Sequence, residues 1–198
     1  ADIADAIADG IIVVAAGGNS AWPVTVSSDS TNYSNSIVHS GGTRYTWTGM
    51  SPGAADDVIC VGAFGAKGTG GKEYRTGFSN HGKRIDIWAP GQNIMSSGKS
   101  GPYADPRNSI YRLYSESGTS MASPQVCGVL SCLLEQEPNL TQAEALQHVV
   151  EYSKASQISD YTISPLNTGF GISVYTPTGG STRYNVVGAD RKESNSYT

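Results

Sequence analysis

Apolar residues in this chain collect into short blocks between long polar stretches, and the period of each block identifies an element. Ile11-Ile12-Val13-Val14-Ala15-Ala16 is apolar without interruption, which predicts a strand from Ile11 to Ala16 buried on both faces of a parallel sheet. Ahead of it, Ala1 to Asp9 predicts a helix closed by Gly10 as its C-cap. Val58 to Gly62 predicts a second strand, and Ile85, Ile87 and Ala89 alternate with Asp86 and Trp88 on a third. Tyr111 to Tyr114 predicts a strand that delivers the chain to Ser120. From Ser120 to Gln136 the spacing becomes helical. Val126, Val129, Leu130, Leu133 and Leu134 recur there, and Cys127 and Gly128 extend the apolar surface, so a central, buried helix is expected. After Pro138, Thr141-Gln142-Ala143-Glu144 is a capping box that opens a further helix, with Leu146, Val149 and Val150 facing the core.

Strands alternating with helices define an α/β class with a mainly parallel sheet. Two segments lack that regularity. Residues 20–50 are rich in Ser, Thr, Asn and Gly and read as a long loop, while residues 156–198 read as short strands, Gly169 to Tyr175 and Tyr184 to Val187, ending in a polar tail. The organisation predicted is an α/β unit over residues 1–155 with an appendage over 156–198. The chain's 198 residues can hold one core, although doubly wound parallel domains usually need more.

Composition narrows the function classes. Thirteen Lys and Arg against 17 Asp and Glu give a net charge of -4, with no basic block and no basic patch interleaved with aromatics, which argues against a nucleic-acid partner. No apolar run approaches the roughly 18 residues of a membrane span, so no membrane partner is expected. The three cysteines, Cys60, Cys127 and Cys132, match no zinc spacing and are odd in number, so buried free thiols are expected. Cys127 and Cys132 lie about 140° apart around their helix, which disfavours a bond between them. Gly98-Lys99-Ser100 and the glycines from Gly65 to Gly71 lack a strand-loop-helix phosphate-binding context and read as turns.

One stretch carries chemistry. Gly118-Thr119-Ser120-Met121-Ala122-Ser123-Pro124 opens directly into the apolar helix, presenting a serine at a strand-to-helix turn. A serine hydroxyl is a poor nucleophile unless a base takes its proton and donors stabilise the oxyanion that follows. Gly118 permits a tight turn, the small Ala122 and Ser123 admit a substrate backbone, and a helix N-terminus supplies unpaired amides with positive potential. A second motif, Val13-Val14-Ala15-Ala16-Gly17-Gly18-Asn19, runs a buried strand into glycines and a carboxamide.

Together these motifs resemble the subtilisin-like serine proteases, the subtilases. The resemblance extends through Pro52 to Ala63, Phe78-Ser79-Asn80-His81-Gly82 and Ile85 to Gly91, covering residues 1 to about 155 in the family's order. It implies the subtilisin-like three-layer α/β fold, present here in part, and a serine endopeptidase acting on polypeptides. By resemblance Ser120 is the nucleophile, Asn19 the oxyanion donor, and Ala16, Gly17 and Gly18 one wall of the substrate side-chain pocket. Residues 20–50 would form an enlarged rim of that pocket, and the Ser51–Pro52 peptide bond would be cis. Met121, next to the serine, would be open to peroxide. A secreted or extracellular setting suits such a protease better than the cytoplasm.

The family's aspartate and histidine, which precede the serine in chain order, lie in Asp-Ser/Thr-Gly and His-Gly-Thr contexts, and neither context occurs here. His39, His81 and His148 stand elsewhere and are read as non-catalytic. The resemblance therefore implies the C-terminal half of a catalytic domain, with Asp and His supplied by an upstream segment or a second chain. Alone, the chain would be nearly inactive. A non-catalytic structural subunit with the same fold, or an esterase using the same serine, are the alternatives. No cofactor or metal is expected: by the resemblance, Arg84 stands where a weak cation site of the family would use an acidic residue beside Asp86, and its charge would pair with Asp86 instead. Gln125 and Cys127, which depart from the family's usual residues, read as repacking.

Overall fold

The structure, a computed structural model, describes residues 2–22, 24, 36–39, 42–45, 49–55, 57–65, 73–98, 101–153 and 158–159. The strands expected at Gly169 to Tyr175 and Tyr184 to Val187 lie outside these residues, as does most of the 20–50 segment.

Helix α1 (Asp2–Ala8) leads to strand β1 (Val14–Ala16), with Gly10 at φ 86° where a left-handed cap is required. A hairpin follows, β2 (Ser36–His39) paired antiparallel with β3 (Gly42–Tyr45), so the segment read as a loop contains regular structure. Strand β4 (Ile59–Gly65) is the hub: it pairs in parallel with β1, Ala15 opposite Cys60, and with β6 (Ile87–Pro90), Ala63 opposite Ala89. Its end turns antiparallel to β5 (Glu73–Arg75), which carries β10 (Ile158–Ser159) in parallel. The parallel centre and its helices match the predicted class.

The core follows from the two-residue alternation of β4. Ile59, Val61 and Ala63, joined by Ile87 and Ala89 of β6, form one face and pack on Ala122, Val126 and Leu130 of helix α2 (Thr119–Gln136) and Ala145 and Val149 of helix α3 (Gln142–Glu151). Each fully buried Val, Leu or Ile side chain there contributes about 1.5–3 kcal/mol. Cys60 points to the opposite face, against Val24, Ile85 and Trp88. The capping box at α3 is formed: Thr141 accepts from the Glu144 N–H and the Glu144 carboxylate accepts from the Thr141 N–H at 2.8 Å. Those bonds hold the Glu144 carboxyl below its ordinary pKa.

Three expectations are corrected. The strand from Ile11 to Ala16 is regular only over β1, which pairs with β4 alone among the described residues, so Val14 and Ala16 stay half-buried. Helix α2 is not buried all round. Its sheet-facing stripe is buried, but Val129 is 61% exposed and Cys127, Gly128 and Cys132 also face outward, because no described element covers that side. The thiols of Cys127 and Cys132 are therefore exposed and only Cys60 is a core residue, although all three are thiols outside any disulfide, as expected.

The strand at Tyr111 to Tyr114 belongs to β9 (Asn108–Glu116), which does lead into α2. It does so from a separate antiparallel sheet with β7 (Ile94–Ser97) and β8 (Tyr103–Asp105), not from the parallel one.

Candidate active site

Ser120 sits in the first turn of α2 with its side chain exposed, while Gly118 and Thr119 on its N-terminal side are buried. Gly118 is anchored by donation of its N–H to the Gly91 carbonyl at 2.8 Å, which ties the start of α2 to the end of β6. The point where a Cβ on Gly118 would stand lies 3.3 Å from Asn19 Nδ2, 3.6 Å from the Ser120 backbone nitrogen and 3.6 Å from Met121 Sδ. A side chain would fill the space on which these atoms border, two of them the nitrogens of N–H donors, so the glycine keeps it open.

Asn19 follows β1, whose parallel pairing with β4 continues through a bond from the Gly17 N–H to the Val61 carbonyl at 2.8 Å. The Asn19 carboxamide is oriented by Thr119: both the backbone N–H and the hydroxyl of Thr119 donate to Asn19 Oδ1, each at 2.9 Å. The same hydroxyl accepts from the Gly18 N–H at 3.1 Å. With Oδ1 committed to two donors, the Nδ2 group is the end turned toward the open space beside Gly118. Thr119 thus links the two sequence motifs, a role that the sequence contains but that only contact distances show. Of the proposed pocket wall, Gly17 is buried and Ala16 and Gly18 half-buried, contiguous with Asn19.

Among the described residues no imidazole or carboxylate hydrogen-bonds Ser120. His148 lies on α3, with Nε2 3.7 Å from Glu137 Oε2 and its ring stacked on Tyr152. His81 lies in the loop before β6, where burial first and the Arg75 charge second lower its pKa to about 3, against a Ser79 backbone hydrogen bond that raises it. A group that weakly basic is mismatched to proton abstraction near neutral pH. His39 is on β2, of which the structure describes the backbone.

Two further expectations about the frame are met. The Ser51–Pro52 bond is cis. Arg84 Nη1 lies 2.8 Å from Asp86 Oδ2, both side chains buried. Arg84 Nη2 also donates to the carbonyls of Ala55 and Val58, the latter at 2.8 Å, while Asp86 Oδ2 accepts from the Cys60 N–H at 2.8 Å. The guanidinium thus bonds one carboxylate oxygen and two backbone carbonyls. Among the described residues, no cluster of His, Cys, Asp and Glu could hold a metal. Gln125 is accommodated by donation to the Pro90 and Met121 carbonyls.

Comparison with known proteins agrees with this frame. The profile of the Subtilase family matches residues 1–172, and the chain belongs to that family. Alkaline protease 1 of Aspergillus clavatus is 35% identical over 130 residues, covering 66% of this chain and 29% of that protein. Subtilisin-like serine protease Cla h 9.0101 of Davidiella tassiana is 40% identical over 117 residues, 59% of this chain and 20% of its own length. Among solved structures, a cold adapted subtilisin-like serine proteinase superposes with a TM-score of 0.51 at 25% identity, covering 79% of this chain and 44% of that one. Fervidolysin from Fervidobacterium pennivorans shares the fold, with a TM-score of 0.55 at 24% identity over 77% of this chain and 20% of its own. The chain thus has the subtilisin-like α/β fold in part, and it spans less than a third of the length of these curated relatives.

Proposed function

We propose that this chain carries the nucleophile and oxyanion half of a serine endopeptidase site, and that the imidazole and its orienting carboxylate come from outside these 198 residues. Ser120 Oγ attacks a peptide carbonyl while that imidazole takes the hydroxyl proton. Asn19 Nδ2 and the Ser120 N–H hold the tetrahedral oxyanion. The imidazole then protonates the departing amine, and water hydrolyses the acyl-Ser120 ester. Ala16, Gly17 and Gly18 line one wall of the pocket for the substrate side chain, and the 20–50 segment forms its rim. The observation that carries this reading is the pair of bonds from Thr119 to Asn19 Oδ1, which turns a carboxamide donor toward the serine's own turn. A vestigial serine in a structural subunit has no chemical need of that arrangement.

Without a base the serine stays protonated, so the isolated chain retains at most the residual catalysis of an oxyanion hole, about 10³–10⁴ over water, a figure known for subtilisin itself. The test is a fluorophosphonate probe applied to this chain alone and to its native assembly, each with and without Ser120→Ala. Labelling of the assembly that disappears in Ser120→Ala supports the enzyme. Absence of labelling in every arm overturns it in favour of a structural subunit, and turnover of esters without peptides would mark an esterase.

A further inference from the structure

The sequence singles out Asn19, but the backbone on either side of Asn19 is held by a second carboxamide. Asn80, in the loop between β5 and β6, is 2% exposed. Its Oδ1 accepts from the Ser20 N–H at 3.1 Å and the Trp22 N–H at 3.0 Å, and its Nδ2 donates to the Gly17 carbonyl at 2.8 Å. Its own backbone N–H donates to the Gly18 carbonyl at 2.9 Å. These four bonds reach residues 17, 18, 20 and 22 and straddle position 19. Gly18, at φ 99°, fits tightly beneath: a side chain there would run into Asn80 Nδ2.

An oxyanion donor contributes to the degree that it already waits where charge will develop, and a misplacement of about 1 Å can cost on the order of 10²-fold in rate. Thr119 fixes the tip of the Asn19 side chain. That leaves the Cα from which the side chain springs, and the turn that carries it has no regular secondary structure to hold it. A buried amide whose acceptor takes two N–H groups from one side of the turn, and whose donor satisfies a carbonyl on the other, supplies that missing stiffness.

We propose that Asn80 is a positioning residue for the oxyanion hole, acting on transition-state stabilisation through Asn19 without touching substrate. The inference rests on Asn19 being the oxyanion donor. A merely structural Asn80 would lower stability and leave the folded enzyme's kcat unchanged.

The experiment is a double-mutant cycle in the active assembly that includes the imidazole-bearing segment, reading kcat and KM for a peptide substrate on protein verified as folded by circular dichroism. Asn19→Ala should lower kcat by about 10²–10³, the loss known for one oxyanion donor in subtilisin. Asn80→Ala should lower kcat by roughly tenfold or more with KM changed less than about twofold, the signature of an interaction made only in the transition state. In the Asn19→Ala background the same change should alter kcat by less than about twofold, because the group it positions is gone. Asn80→Asp keeps acceptor oxygen for Ser20 and Trp22 and loses the donation to Gly17, so it should give a smaller loss with the same dependence on Asn19. It carries the cycle if Asn80→Ala does not fold. A loss that persists undiminished without the Asn19 carboxamide, that falls wholly on KM, or that is absent in both Asn80 variants overturns the assignment and leaves the oxyanion reading standing. If Asn19→Ala itself leaves kcat intact, the oxyanion reading fails and the positioning role with it.

Discussion

The corner around Asn19, which meets the first residue of α2, and the outer side of that helix are opposites in completeness. At the corner and in the frame beside it, buried polar side chains find partners within the chain: Thr119 bonds Asn19 and Gly18, Asn80 bonds Gly17, Ser20 and Trp22, and Arg84 Nη1 pairs with Asp86. On the outer side of α2, Val129, Cys127 and Cys132 face away from the sheet with nothing described against them. The contrast teaches that the oxyanion half of the proposed site is self-sufficient. Its geometry is fixed by contacts within this chain, whereas the base is proposed to come from outside it.

The largest effect that would break this contrast falls on its closed side. Asp86→Ala leaves the Arg84 guanidinium buried without its counter-charge and should cost about 3–5 kcal/mol in a urea melt. A loss under about 1 kcal/mol would mean that the Ala55 and Val58 carbonyls suffice alone.

The two faces of α2 come next. Leu130, 2% exposed against β4 and β6, should lose about 2–5 kcal/mol on replacement by Ala. Val129→Ser on the outer face should stay within about 0.5 kcal/mol. Equal losses in the isolated chain would show that something covers the outer side after all.

The most gradual effect is a pH slope. The His81 pKa is about 3 when folded against an ordinary value of 6.5, so between those limits the unfolded chain binds more protons and stability falls as pH drops from 6.5 toward 3. The slope contributed approaches about 1.4 kcal/mol per pH unit. His81→Gln should flatten that limb in urea melts taken at successive pH values. An unchanged acid limb would place the titration elsewhere.

Much of this architecture was legible in the residues. The apolar runs and the capping box at Thr141 located α2 and the start of α3 to within a residue and β4 to within three, because local period and end-capping are properties of neighbouring residues. The pairing of Arg84 with Asp86 was legible through the family resemblance, which marked a weak cation site beside Asp86 where this chain has Arg84. Burial was not. The helix from Ser120 looks apolar almost all round, and periodicity reports which faces can be buried, not which are. The thiols of Cys127 and Cys132 were assigned to the core for that reason and stand outside it.

The sequence by itself determined the candidate chemistry: a serine at a helix start, a carboxamide after a buried strand, and histidines in contexts that do not suit a base. Only the tertiary structure decided how Asn19 is held, because Thr119 and Asn80 stand 100 and 61 positions away from it along the chain. Which of a carboxamide's two ends faces a nucleophile depends on which donors reach the other end. That is set by the parallel pairing of β1, β4 and β6, and by the loops this pairing brings together.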